Sequence, residues 1–183
     1  MAVLDSGFEG HRELMSTQVP QRLRMRPADG KDAPLLTALA LRSKAHWGYT
    51  DEFIAACREE LTYTKEKLEA PKIFGQICLS HELPVAFYVL EQTGVDVAEL
   101  DALFVEPEFI GMGIGKTLIE HAKKQAGKLG IVTIVIQGDP NAQPFYTAIG
   151  ALPCGTRESG SFPGRQLPLF MIKLHDKQNS TRG

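Results

Sequence analysis

A chain of 183 residues, 43% hydrophobic and 23% charged, is long enough to bury one sizeable core and has the make-up of an ordinary soluble globule. A net charge of -2 without any sustained Lys/Arg block speaks against nucleic-acid or membrane-surface binding and leaves small molecules as the expected partners. No apolar run nears the roughly 18 residues of a membrane span, and residues 1–4 lead straight into Asp5, Glu9, His11, Arg12 and Glu13, unlike a secretory leader.

Cys57, Cys78 and Cys154 are odd in number and outside any C-x-x-C pattern, which suits a reducing cytoplasm and offers no zinc or other metal site. Residues 1–21 have no clear periodicity; a short extra helix, a disordered extension and an upstream start ahead of Met15 are all compatible with them. Residues 22–175 read as one domain and 176–183 as a frayed tail. The domain opens on Arg-Leu-Arg-Met-Arg at 22–26, an alternation that puts Leu23 and Met25 on one face of a first strand. Asp29-Gly30 turns the chain, Asp32 caps a helix with Pro34 in its first turn, and Leu36, Leu39, Ala40, Ser43 and Trp47 form its inward stripe. After Gly48, Thr50 caps a second helix that starts with Asp51 and Glu52 and sends Phe53, Ile54, Cys57 and Leu61 to the core. The loop 44–49 between them carries His46, Trp47 and Tyr49; a core anchor beside a solvated helix end and a substrate-binding role are equally compatible with it.

Strands at 72–80 and 85–91 form a hairpin around 81–84, and Thr93-Gly94 turns into a long strand at 95–105. Strict alternation there places Leu100, Ala102 and Phe104 on one face and Glu99, Asp101, Leu103 and Val105 on the other. A helix at 113–128 buries Ile114, Leu118, Ala122, Ala126 and Leu129, shows Glu120, Lys123, Lys124 and Lys128 to water, and closes on Gly130. The apolar strand 131–136 follows, so that strand, crossover helix and strand give one parallel pair. A short helix from Asp139 through Tyr146 to Gly150, strands at 151–157 and 166–174, and a polar loop at 158–165 complete an α/β (α+β) class. The sheet is expected to be mostly antiparallel, with six to seven strands and about four helices.

Between the long strand and its helix lies Glu106-Pro107-Glu108-Phe109-Ile110-Gly111-Met112-Gly113-Ile114-Gly115-Lys116-Thr117-Leu118. Unpaired first-turn N–H groups and the positive end of the helix dipole, with no Cβ at Gly111, Gly113 or Gly115, make a seat for phosphate or pyrophosphate. The nucleoside-triphosphate loop fails because its first glycine would fall on Ile110, and G-x-G-x-x-G fails at Lys116. The pattern [QR]-x-x-G-x-[GA] fits through Gly113 and Gly115, with Ile110 in the lead place, and resembles motif A of the GNAT superfamily of N-acyltransferases. Asp139-Pro140-Asn141-Ala142-Gln143-Pro144-Phe145-Tyr146-Thr147-Ala148-Ile149-Gly150-Ala151 resembles motif B of the same superfamily, shortened before the Phe-Tyr pair and with Ala151 where Phe is usual.

The resemblance implies a GNAT-like sheet and acetyl-coenzyme A as co-substrate. It places main-chain groups of Leu103, Phe104 and Val105 on the pantetheine arm and lays the pyrophosphate on Gly111, Met112, Gly113, Ile114, Gly115 and Lys116. It further implies Asn141 on the pantetheine arm, Tyr146 beside the sulfur, and a possible homodimer through the later strands. Transfer to a primary amine of a small molecule or a protein needs a neutral nucleophile, a held oxyanion and a protonated leaving thiolate. Glu99, then Asp101, are the candidate bases, Val105 the backbone donor and Tyr146 the acid, with no covalent enzyme intermediate. Arg42, Lys44, His46, Arg157 and Arg165 are cations that would favour an acceptor bearing a carboxylate or phosphate. The rival readings are a catalytically inactive acyl-coenzyme A sensor and a nucleotide hydrolase using Gly115-Lys116-Thr117.

Overall fold

Among the described residues the chain forms seven strands and five helices. A computed structural model describes residues 23–174, so the expected extension at 1–21 and tail at 176–183 lie outside the described residues. In chain order the elements are β1 (Leu23–Pro27), α1 (Ala33–Ala45), α2 (Asp51–Ala56), α3 (Lys65–Leu68), β2 (Ile73–Ser80), β3 (Leu83–Gln92) and β4 (Val97–Val105). They continue with α4 (Ile114–Lys128), β5 (Thr133–Gln137), α5 (Gln143–Ala148), β6 (Leu152–Glu158) and β7 (Gln166–Lys173). The sheet runs β1-β2-β3-β4-β5-β7-β6, antiparallel throughout except for the β4/β5 pair.

Each face of the sheet carries its own core. On one, Leu36, Leu39 and Ala40 of α1, with Cys57, Leu61 and Tyr63, pack on Ile77, Phe87, Val89 and Ala102. On the other, Ile114, Leu118, Ile119, Ala122 and Ala126 of α4, with Tyr146 of α5, pack on Tyr88, Leu90, Leu100, Ile134 and Ile136.

Several sequence expectations are corrected. Helix α1 stops at Ala45, so Trp47 leaves the inward stripe and is 41% exposed. Leu129 follows the last residue of α4 and is 38% exposed, while Ile119 takes a core place that the periodicity had not assigned to it. Helix α2 is only six residues long, leaving Phe53 and Ile54 half-buried, and Cys57 and Leu61 reach the core from the turns that follow. Helix α3, four residues capped by the Thr64 hydroxyl, is too short to show a periodicity. The β2/β3 turn uses only His81 and Glu82, both at positive φ, and β3 begins directly at Leu83.

The largest correction lies in β4. Leu90 pairs with Leu100 and Val89 with Ala102, so Asp101 is an extra residue bulged out of the ladder. One added residue inverts the alternation beyond it. Ala98, Leu100, Leu103 and Val105 therefore belong with the α4 core and Ala102 and Phe104 with the α1 core.

Contrary to the sequence expectation, the Asp32 side chain does not cap α1. It accepts the Asp29 N–H at 2.9 Å, closing a capping box around the turn Gly30–Asp32, and both its oxygens accept from Arg26 at 2.7 and 2.8 Å. The bond from Arg26 holds the Asp32 carboxyl below its ordinary value of 3.8. A depressed folded value means that this stabilisation is present above pH 3.8 and lost as pH falls through the lower folded value. Asp32→Ala is expected to cost about 1–2 kcal/mol at pH 7, and urea melts should show the gap from the parent closing in acid.

Candidate active site

Strands β4 and β5 pair only at Val97–Thr133, Ala98–Ile134 and Glu99–Val135. Beyond that point β4 stays with β3 as far as Val105, opposite Ala86, and β5 stays with β7 as far as Gln137, opposite Leu169. Each strand follows its other neighbour, and a wedge opens between them. The Glu106 N–H donates to the Val85 carbonyl at 2.8 Å. Since successive peptide groups of an extended strand point to opposite sides, Val105 and Leu103 turn theirs into the wedge, where no strand satisfies them.

A cavity of about 680 Å³ fills this wedge and runs from Gly111, Gly113, Gly115 and Lys116 along β4 to Tyr146 and Asp139. Gly111 and Gly113 adopt φ of +85° and +81°, a region that L side chains rarely adopt, and a Cβ on either would meet nothing within 4 Å. Their open side is the room a ligand's phosphate needs above the first turn of α4, which Gly113 begins without any side-chain cap. Gly115 serves packing as well, because a Cβ there would stand 3.2 Å from the Phe145 ring.

Tyr146 is 7% exposed, with its ring 5.2 Å from Phe145 and 5.4 Å from Phe170, centroid to centroid. Burial, then the nearby Asp139 carboxylate, pushes its phenol well above the ordinary 10.0, so it holds its proton at neutral pH. Asp139 accepts from Lys44 and, at 2.9 Å, from the Tyr49 hydroxyl. Burial alone would raise its carboxyl, but the Lys44 bond and charge, the Asn141 N–H and Tyr49 outweigh that and hold it below its ordinary value.

Residues 40–151 match the model of the Acetyltransferase (GNAT) family, a stretch that includes the bulged strand, the glycine seat and α5. The chain belongs to the GNAT acetyltransferase family. It is 38% identical over 89 residues to the peptidyl-lysine N-acetyltransferase YjaB of Salmonella typhimurium, covering 49% of this chain and 56% of that one. Against YjaB of Escherichia coli the identity is 34% over 89 residues, covering 49% and 55%. The chain thus spans about half the length of the curated relatives it matches. In fold it is similar to the PaiA N-acetyltransferase of Thermoplasma acidophilum in complex with coenzyme A, with a TM-score of 0.66 and 21% identity over 83% of this chain and 99% of that one.

Within this GNAT fold, Leu103, Phe104, Val105, Gly111, Gly113, Gly115, Lys116, Tyr146, Glu99, Asp101 and Trp47 all line the cavity in the wedge. Met112, half-buried, and Ile114, in the core, do not line the cavity. Ile110 packs on the core too, so the lead place of motif A contributes apolar contact. Asn141 is outside the cavity wall; its amide donates to the Tyr49 hydroxyl at 3.0 Å. His46 sits beyond the end of α1 with its ring against Trp47, also off the wall. Tyr49 and Arg165 join a stack above the site: Tyr49, Phe53 and Phe162 lie 4.2 and 4.4 Å apart, and the Arg165 guanidinium lies 4.7 Å from the Phe53 centroid.

The acids Glu99 and Asp101 are both ion-paired, Glu99 with Arg157 at 2.6 Å and Asp101 with Lys67 at 2.9 Å. Each pair uses one carboxylate oxygen, and the partner cation stands outside the cavity wall. The expected cationic acceptor cleft is not formed. Arg42 is paired with Glu106, Lys44 with Asp139 and Arg157 with Glu99, and the wall shows Glu60, Glu99, Asp101 and Asp139 against Lys44 and Lys116. Glu60 and Tyr63 are site residues that sequence reasoning missed; they follow α2 in turns, where periodicity carries no signal. Burial, then the Asp101 and Glu60 charges, raise the Tyr63 phenol well above 10.0. None of the three cysteines is on the wall, and burial lifts the Cys78 thiol to about 11. Among the described residues no group of three or more His, Cys, Asp or Glu side chains could hold a metal ion, and no helix is long and apolar enough to cross a membrane.

Proposed function

We propose that the chain is an acyl-coenzyme A dependent N-acyltransferase that moves an acetyl group from acetyl-coenzyme A to a primary amine by direct attack. The observation that carries this reading is the open wedge leading from the glycine seat to the Tyr146 phenol. The residues fit the carrier: open space over Gly111 and Gly113 admits a diphosphate, Lys116 supplies charge, and the unpaired peptide groups of Leu103 and Val105 suit an amide-bearing arm. When bound, the carrier supplies an acyl group activated as a thioester.

The rest is the work of the chain's own side chains. Glu99, through the oxygen left free by Arg157, accepts the proton of the incoming ammonium by way of a water, with Asp101 beside it. A main-chain N–H turned into the wedge holds the developing negative charge on the acyl oxygen. Tyr146 donates a hydrogen bond from Oη to the leaving sulfur; because its phenol is raised above an ordinary thiol near ~8.5, it stabilises the thiolate more readily than it protonates it. A lysine side chain as acceptor fits the name of the YjaB relatives, and Glu60, the wall carboxylate without an ion-pair partner among the described residues, is the group to receive its ammonium.

The test is thiol release from acetyl-coenzyme A with a lysine-containing peptide and a panel of small amines. Turnover on the peptide is the expected result. The ion pairing of both candidate bases is the observation that favours an inactive sensor instead. That reading predicts stabilisation of about 2.7 kcal/mol at a carrier concentration a hundred times Kd, with no turnover on any amine.

A further inference from the structure

A hydroxyl taken out of water without a partner is costly, so an unmet one points to a bond that something outside the protein supplies. Among the described residues, Ser80 is bonded to His81, Tyr88 to His121, Thr133 to Lys173 and Ser159 to the Ser161 N–H, at 2.9–3.3 Å. Three other buried hydroxyls, those of Ser43, Tyr63 and Tyr146, bond to no described residue. All three line the wedge cavity. No wholly enclosed side-chain oxygen or nitrogen among the described residues lacks a partner, so these three hydroxyls are open, and the cavity is what they open on.

Tyr146 already serves the leaving sulfur. The other two come from the opposite face of the sheet. Ser43 lies on α1 and is 5% exposed; Tyr63 is 4% exposed, its ring edge-on to Phe87 at 5.3 Å in the α1 core. Tyr146 belongs to the other core with Ile114, the first residue of α4, on the side of the glycine seat. A carrier running from the seat to Tyr146 leaves the α1 side of the cavity to the second substrate. Glu60, next to Leu61 of the α1 core, is also on the cavity wall; the Ser161 hydroxyl bonds one of its carboxylate oxygens and leaves the other free.

An alkylammonium has three N–H donors and no acceptor. We infer that the ammonium of the acceptor is held at three points, by the Glu60 carboxylate and by the hydroxyl oxygens of Tyr63 and Ser43, before its proton passes toward Glu99. The inference rests on the acyltransferase reading of the wedge and names the residues that grip the acceptor nitrogen. Tyr63 keeps its phenolic proton at neutral pH, so the site sets one carboxylate against one ammonium.

Steady-state kinetics with acetyl-coenzyme A and a lysine-containing peptide test it on the parent, Tyr63→Phe and Ser43→Ala. Each variant is expected to raise KM for the peptide about tenfold, the lower end of what a hydrogen bond to a charged group contributes. Because the bond is made before the chemical step, kcat should stay within about twofold of the parent. Neither change removes a bond within the protein, so urea midpoints should equal or exceed that of the parent, and calorimetry should show unchanged affinity for acetyl-coenzyme A. A parental KM in either variant overturns the three-point site while the acyltransferase reading stands. So does a lowered urea midpoint, which gives the hydroxyl to the fold, or weakened acetyl-coenzyme A binding, which gives it to the carrier. A parent that turns over no primary amine overturns the acyltransferase reading and the site with it.

Discussion

Tyr146→Phe is expected to lower kcat about 100-fold, the lower end of what one hydrogen-bond donor to a developing negative charge contributes, with carrier binding unchanged in calorimetry. The substitution keeps the ring that packs on Phe145 and Phe170 and removes only Oη. Gly138 lies close against the same ring, where a Cβ would stand 3.1 Å from it, so the phenylalanine is held in the same orientation. Fold and binding should therefore survive while stabilisation of the leaving sulfur is lost. An unchanged kcat would remove Tyr146 from the chemistry and leave it as a wall of the pocket.

The order of elements was readable because each signal is local. Thr50 before Asp51 and Glu52 fixes a helix start, and Ile114, Leu118, Ala122 and Ala126 return at helical spacing. The strand, crossover and strand around α4 also imply the single parallel pair. The glycine seat and Tyr146 were readable through their motifs. What escaped depends on contacts distant in the chain. The bulge at Asp101 exists only in the pairing of β4 with β3, and alternation within β4 contains no trace of it. The pairing of Arg157 with Glu99 joins residues 58 apart, and that of Lys44 with Asp139 joins residues 95 apart. Counting cations along the chain therefore points to a positive cleft, whereas in the fold Arg42, Lys44 and Arg157 are each neutralised by an ion pair. Asp139 was read as the start of a helix. Its side chain does accept the Asn141 N–H at 2.9 Å, but its other partners come from α1 and the loop after it.

That arrangement makes Asp139→Ala the largest stability effect expected. The Asp139 and Lys44 side chains are 13% and 18% exposed, so removing the carboxylate leaves an ammonium group with little water and no counter-charge. Breaking one side of such a pair is expected to cost about 3 kcal/mol, or about 6–12 °C in Tm for a chain of this length. Restoring neutrality should recover part of it: Lys44→Met with Asp139→Ala should cost less than the sum of the single changes, and a double-mutant cycle on urea melts measures the difference. The pH dependence follows from the depressed carboxyl. Its contribution is present above the ordinary value of 3.8 and disappears as pH falls through the lower folded value, so parent and Asp139→Ala should converge only in strong acid. Activity should fall as well, because Tyr49 loses its acceptor and the stack of Tyr49, Phe53 and Phe162 keeps only the Asn141 amide as its link to the turn after β5. If the single and double variants melt together at pH 7, Lys44 finds water when Asp139 is gone, and the pair holds the roof of the wedge by geometry rather than by charge.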